Sequence, residues 1–329
     1  MIKELGDNIY SVYVPLPNNP LKNLNSYVIK TPDRNLIIDT GFNLSACFDA
    51  LQTGLAELEI DMHKTDIFLT HLHADHTGLA DRIAAPESKV YISGEDADFL
   101  RFIVNDKAGF YDLTKNRFQA YGVPASVFND AVAANPAFHN HMDKILSFSE
   151  CHDEDEIEVG PITLKCIRTP GHTPGHLCLY WAEKQYLFSG DHLLFDITPN
   201  ITPWPSLPDS LGAYLDSLKK ISNYKIIKTF AAHRENGNDV YARINELTAH
   251  HEARLESLYQ IVKGKNNINT YEAASLLKWS IKADNWEDFP ATQKFFALGE
   301  TDAHLLHLTQ SGRIGSITKN GINLYSVTK

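Results

Sequence analysis

The segment FLTHLHADHTG, residues 68–78, places His71, His73, Asp75 and His76 directly behind an apolar run. A lone histidine is most often a satisfied structural side chain, but imidazoles and a carboxylate crowded within one turn after a strand are the donor set of a metal site. A loop at the carboxyl end of a strand can fold such side chains back on one point. Two metal ions would require about seven or eight protein ligands between them. The reading therefore demands more histidines and a carboxylate at other strand ends.

They occur. TPGHTPGH (169–176) supplies His172 and His176 behind the apolar run ITLKCIR, FSGDH (188–192) supplies Asp191 behind QYLF, and FAAHR (230–234) supplies His233 behind IIKTF. One ion would take three imidazoles and the second two imidazoles with Asp75, while Asp191 bridges both. Imidazole and carboxylate donors suit zinc first, with iron or manganese as alternatives. HNHM, with His139 and His141, has ligand-like spacing but no carboxylate partner, so it is assigned to pocket lining. His250 and His251 lie in a helical pattern and are read as structural. Asn23 and Asn25 are read as a turn, and His192, next to Asp191, as a hydrogen-bonding neighbour of the site.

Around these motifs the opening third reads as a β meander, with Pro32–Asn35 as a hairpin turn. Helix and strand then alternate: ACFDALQTGLAEL has helical spacing, KTDIFLT and KVYISG are short buried strands, and EDADFLRFIV is helical. HLCLYWAEKQYLFSGD reads as a hairpin and IIKTFAAHR as one more strand. Residues 95–150 interrupt the rhythm with apolar and aromatic residues and are expected to form a helical insertion. If it caps the site, Phe110, Tyr111 and Tyr121 wall the pocket. Residues 1–245 are assigned to a layered α/β domain and 246–329 to a helical one. Gly264 is read as the stop of a long amphipathic helix, and helices are expected at 270–280, capped by Thr270, and at 300–312, capped by Thr301 and stopped by Gly312. Asn320–Gly321 marks a hairpin. Helix, helix and hairpin predict a winged helix that serves as a structural or dimerisation element, with Leu305, Leu306, Leu308 and Ile314 able to pack on a partner surface in a homodimer.

The net charge is −11, and residues 1–211 hold 15 Lys+Arg against 29 Asp+Glu. An acidic domain repels polyanions, so nucleic acid is disfavoured as a partner. The expected second helix of the terminal unit, residues 300–312, has neither Lys nor Arg. No segment reaches the length of a membrane helix. The scattered Cys47, Cys151, Cys166 and Cys178 form no CxxC pair, and Glu4 and Asp7 interrupt any apolar leader core, so a reducing cytoplasm is expected.

The order HxHxDH, GHTPGH, SGD and a late histidine resembles the metallo-β-lactamase superfamily over residues 1 to about 240. The resemblance implies a four-layer αββα sandwich. It places His71, His73 and His172 on the first metal, Asp75, His76 and His233 on the second, and Asp191 between them. It puts His176 in a supporting role and Asp39 behind a histidine. The tail resembles a winged-helix appendage on a branch of hydrolases in the superfamily. Where secreted metallo-β-lactamases commonly carry cysteine this chain has Asp191, as glyoxalase II, other thioesterases and the nucleases of the superfamily do. The expected chemistry is attack by a hydroxide held between two metals, with Asp75 handling the proton. A small acyl thioester is the favoured substrate. The alternatives are an endoribonuclease or phosphodiesterase, and an iron-dependent redox or sulfur-handling protein.

Overall fold

The computed structural model describes residues 1–237 and 239–328. The chain opens with four strands in antiparallel succession, β1 (Ile2–Gly6), β2 (Ile9–Pro15), β3 (Asn23–Ile29) and β4 (Asn35–Ile38). After α1 (Ser45–Glu57) come β5 (Thr65–Phe68), the short helices α2 (Ala74–Thr77) and α3 (Ala80–Ile83), β6 (Val90–Ser93), the helices α4 (Gly94–Asn105), α5 (Lys107–Ala120) and α6 (Ala125–Ala134), and β7 (Phe148–Cys151). From β4 to β7 the strands pair in parallel and complete a seven-stranded mixed sheet. The second sheet contains β8 (Glu156–Val159), β9 (Ile162–Arg168), β10 (Leu177–Trp181), β11 (Tyr186–Gly190) and, after α7 (Ser210–Ile221), β12 (Lys228–Ala231), in the order β12-β11-β10-β9-β8. The remainder is α8 (Val240–Gly264), α9 (Thr270–Leu276), α10 (Ala291–Gln310) and the hairpin β13 (Ile314–Lys319)–β14 (Ile322–Val327).

Side-chain alternation explains the layering. In β4, Leu36 and Ile38 join Phe68, Leu164, Leu177, Phe188 and Phe230 between the sheets, whereas Ile37 points away to pack with Cys47, Leu51 and Leu55 of α1. A strand covered on both faces has no polar side to show, which is why LII reads as an unbroken apolar run. On the far side of the second sheet, Cys178 and Leu187 pack with Leu211 and Leu218 of α7. Helix, sheet, sheet, helix is the four-layer α/β sandwich the motifs imply.

The later elements depart from the sequence reading in instructive ways. Leu247 and Leu258 of α8, Leu305 and Leu308 of α10 and Tyr325 of β14 belong to the same apolar cluster as Ile167 and Cys178. Helix α8 runs unbroken through residue 245, where a domain boundary was expected. Leu305, Leu308 and Ile314 are buried inside the chain, so they are not free to pack on a partner; Leu306 alone of the four is half-exposed. The cap of α9 is Asn269, which closes a capping box with Glu272, while the Thr270 hydroxyl donates to Asp302 instead. Thr301 caps nothing: α10 begins ten residues earlier, at Ala291, and the Thr301 hydroxyl donates back to Ala297 O. The N-terminal turns of that helix are hidden in sequence because their apolar face meets α6 as well as its own unit, Ala297 and Leu298 packing with Ala131 of α6 and Ala274 of α9. The insertion is helical as expected. The edge strand β7 at its end, FSEC, has no apolar alternation and forms because β6 supplies backbone partners, whereas β8, EIEV, alternates cleanly with Ile157 and Val159 buried. Among the described residues no helix is long and apolar enough to cross a membrane.

Candidate metal centre

The seven residues singled out from sequence converge. His71 and His73 leave the end of β5, Asp75 and His76 stand on α2, His172 lies in the loop after β9, Asp191 follows β11 and His233 follows β12. All but His73 are buried. His71 Nε2 and His172 Nε2 each stand 3.0 Å from His73 Nδ1. Nitrogens bound tetrahedrally to one zinc ion at 2.0–2.1 Å would be about 3.3 Å apart, so this trio is spaced as ligands of a common centre. On the other side His233 Nε2 is 3.4 Å from Asp75 Oδ2, and His76 Nε2 is 3.9 Å from the same oxygen. Asp191 faces both groups: Oδ2 lies 3.5 Å from His172 Nε2, while Oδ1 lies 3.6 Å from His76 Nε2 and 3.3 Å from His233 Nε2.

The ring nitrogens are oriented from behind. His172 Nδ1 donates to Asn200 O at 2.7 Å, His233 Nδ1 to Asn23 O at 2.7 Å, and His76 Nδ1 to Asp39 Oδ2 at 2.8 Å. Thr70 Oγ1 gives its proton to Asp39 Oδ2 and so stands as acceptor 3.0 Å from His71 Nδ1. With Nδ1 protonated, each Nε2 lone pair points inward. Nε2 of His76 and His233 and Oδ1 of Asp191 are buried with no hydrogen-bond partner. Orphaned buried polar atoms are costly, and a divalent cation satisfies all three at once. The residues present therefore fit two ions.

Charge follows position. Burial, reinforced by neighbouring imidazoles, holds His71 well below the usual histidine range, and His73 falls to about 3 for the same reason. Burial also lowers His172 against the pull of Asp191. Burial works against protonation of His76 and His233 as well, but Asp39, Asp191 and Asp75 raise the first, and Asp191 and Asp75 raise the second well above normal. Burial likewise pushes the Asp191 carboxyl up, yet His233 and His76 hold it far below the carboxylate range. A neutral trio lies beside a pocket in which carboxylates and imidazoles pair, and cations can take the place of the imidazole protons.

Support comes from Asp39, expected behind a histidine, and from residues the sequence reading missed or misread. Asp39 has a left-handed backbone, φ 60°, uncommon for a non-glycine residue and retained beside the site it serves. Asp96, on the first turn of α4, is wholly buried and accepts from Leu72 N at 3.0 Å, Thr173 Oγ1 at 2.6 Å and Gly175 N at 2.7 Å. It thereby clasps the loop of His71 and His73 to the loop of His172. The only local trace of it is an acidic residue in the first turn after the capping Ser93, which the sequence reading did not single out. Asn23 and Asn25 are not a turn: they begin β3, where Asn23 O receives His233 and Asn25 Nδ2 donates to Ala231 O and Arg234 O.

His176 takes the supporting place expected of it, since its Nε2 accepts from Asp191 N at 3.2 Å and its Nδ1 meets Thr169 Oγ1 at 2.8 Å. Gly190, at φ +50°, lets the chain pass that ring, because a Cβ there would stand 2.7 Å from His176 Nε2. His192 differs from expectation, as neither ring nitrogen has a partner; its carbonyl receives the Tyr214 hydroxyl. His141 turns to the Met142 carbonyl, away from the centre. His250, His251 and Glu300 also lie close enough to hold an ion. Arg254 Nε stands 3.0 Å from Glu300 Oε1, so that carboxylate already faces a cation.

Beside His73 stands Trp204, ring centroids 6.0 Å apart, its Nε1 donating to His172 O. Phe99, Phe110 and Phe138 continue this aromatic wall. Phe110 stands two rings away from His73's neighbour Trp204, whereas the other two expected wall residues lie elsewhere: Tyr111 is exposed and packs on Phe128, and Tyr121 is buried against Phe118 and α9.

A family model for the metallo-beta-lactamase superfamily matches residues 20–233. The chain is 24% identical over 316 residues to the beta-lactamase-like protein 2 homolog of Caenorhabditis elegans, covering 94% of this chain and 87% of that one. It is 24% identical over 254 residues to an atrochrysone carboxyl ACP thioesterase of Cryptosporiopsis sp., covering 77% and 61%. It likewise spans 61% of the lactamase-like protein aptB of Emericella nidulans, to which it is 24% identical. A crystal structure of a metallo-beta-lactamase family protein from Thermus thermophilus superposes with a TM-score of 0.82 at 27% identity, covering 99% of this chain and 100% of the other. The superfamily's proteins bind divalent metals, and the described side chains converge as such a centre requires. By its motifs, its layered sheets and its family match, the chain belongs to the metallo-β-lactamase superfamily of hydrolases.

Proposed function

We propose that this chain is a hydrolase of small acyl thioesters working with two divalent ions, zinc in the first instance. The observation that carries the dinuclear reading is the placement of Asp191, one carboxylate oxygen toward each ligand group. His71, His73 and His172 hold one ion, Asp75, His76 and His233 the other, and Asp191 spans them. When bound, such ions supply Lewis acidity to the substrate carbonyl and make water acidic enough to be deprotonated near neutral pH.

The protein's own groups do the positioning. Burial raises the Asp75 carboxyl, but His76 and His233 outweigh it and bring it to about 2, so Asp75 stays anionic. There it orients the attacking water and receives its proton for delivery to the leaving thiolate. Trp204 and Phe99 keep bulk water from the His73 side. A thioester is favoured over a phosphodiester because the chain is acidic overall, and because relatives at 24% identity include proteins named as acyl-carrier thioesterases.

The test is a rate panel on zinc-loaded protein with acyl thioesters, lactones, a phosphodiester and short RNA. Thioester hydrolysis should exceed the phosphodiester rates at least about a hundredfold, a gap of roughly 3 kcal/mol in barrier. Faster cleavage of RNA or phosphodiester would replace this reading with the nuclease one.

A further inference from the structure

A cleft of about 600 Å³ is built from three distant parts of the chain: the 17–20 loop with Phe42 and Leu44, the end of the insertion at Ala133 and Ala134, and Thr292 and Phe296 of α10. No Lys, Arg, Asp or Glu lines it. Its volume falls within the range of small-molecule sites.

The cleft shares its walls with the loops that carry the second ligand group. Thr40 N and Oγ1 both donate to His76 O at 2.8 Å, which ties the strand leading to Phe42 to the helix bearing Asp75 and His76. Asn43 N donates to Asn140 O at 2.9 Å, and a Cβ on Gly78 would stand 2.6 Å from both atoms, so the metal loop, Asn43 and the insertion's end are in contact. On the opposite side Arg234 Nη2 donates to Pro20 O and His233 Nδ1 to Asn23 O, joining the 17–20 loop to the His233 segment. None of the seven ligand residues lines the cleft itself, but its walls are hydrogen-bonded to the segments that carry His76 and His233.

We propose that this cleft binds the acyl part of the substrate, that the acyl group is uncharged and apolar and larger than acetyl, and that Phe296 on α10 limits its size. The proposal rests on the thioesterase reading for the chemistry but on the cleft alone for the binding. The walls are mixed, with Phe42, Leu44 and Phe296 beside Asn19, Asn140 and His139, but they hold no Lys or Arg, so an anionic acyl tail desolvated there would lack a fixed counter-charge. Their apolar residues reward each methylene that the acyl chain buries. The terminal helix reaches the cleft where α10 packs on α6, so the elements beyond the sandwich act on specificity as well as on stability.

The experiment compares acetyl, octanoyl and succinyl thioesters of one thiol on zinc-loaded wild type, Phe296→Trp and Ala134→Leu. In parallel, binding of octanamide, which cannot be turned over, is measured by calorimetry. Expected are an octanoyl over acetyl preference of at least tenfold in kcat/KM, weak use of succinyl, and a tenfold or greater fall of the octanoyl-to-acetyl ratio in either variant with metal content unchanged. Octanamide should bind wild type and be weakened in both variants. Equal use of acetyl and octanoyl, or ratios untouched by both variants, would overturn the proposal, as would failure of octanamide to bind. Octanamide binding that both variants weaken, without turnover of any thioester, would uphold the cleft and overturn the thioesterase reading instead.

Discussion

Asp39 Oδ2 accepts the Nδ1 proton of His76 at 2.8 Å, and the same carboxylate receives Thr70 N and the Thr70 hydroxyl. One buried acid therefore orients His76 directly and His71 through Thr70. Replacing Asp39 by Ala should weaken metal affinity about 10–100-fold, more at the second site than at the first. A competition titration with a chromophoric zinc chelator measures it. Unchanged affinity at both sites would refute the orienting role.

Asp191→Ala removes the one carboxylate that faces both groups. Bound zinc should fall from about two ions per chain toward one, and kcat should fall with it, at least about tenfold. His76→Ala should strip mainly the second ion, whereas His172→Ala should disturb the first. Metal analysis beside single-turnover rates separates these cases, and two tightly held ions in Asp191→Ala would contradict the bridge.

Asp96→Ala should cost stability even though the residue touches no metal position. It leaves Leu72 N, the Thr173 hydroxyl and Gly175 N buried without their acceptor, each worth about 1–3 kcal/mol. A net loss of about 3–5 kcal/mol in urea unfolding, with weakened first-site metal affinity, is the expected outcome. Asp96→Asn keeps an acceptor oxygen and should lose less. A variant as stable as wild type would show that the two loops hold each other without this clasp.

The buried cluster behind α8 and α10 should make the metal-free protein acid-labile. Burial brings His251 to about 3 and His304 to about 4. Burial raises Glu300, but His250 and Arg254 overcome it and bring it to about 2. All three are depressed in the fold, so their stabilisation is complete above the ordinary histidine pKa and is lost as pH falls from about 6.5 toward 3, where the unfolded chain takes up protons first. Each histidine should cost on the order of 2–3 kcal/mol at pH 4. Urea midpoints of apo protein from pH 7 to pH 4 should fall steeply, and less steeply in His251→Gln. Identical slopes would contradict the assignment.

What the sequence by itself determined was everything local. His71, His73, Asp75 and His76 lie within a single loop and helix turn, and each remaining ligand follows an apolar run, so strand-end geometry could be read from composition alone. The β10–β11 hairpin and the Asn320–Gly321 turn were equally legible, because their signals are carried by adjacent residues. Tertiary structure decided what depends on chain segments far apart in sequence. Asp96 becomes a clasp only when β6 delivers α4 beside two ligand loops. Asn23 becomes the acceptor for His233 only because β3 passes the end of β12, 210 residues away. The full length of α10 depends on its packing against α6 as well as α9, since an apolar face that meets another part of the chain carries no mark of its partner. Periodicity announces that a face will be buried, and only packing chooses against what.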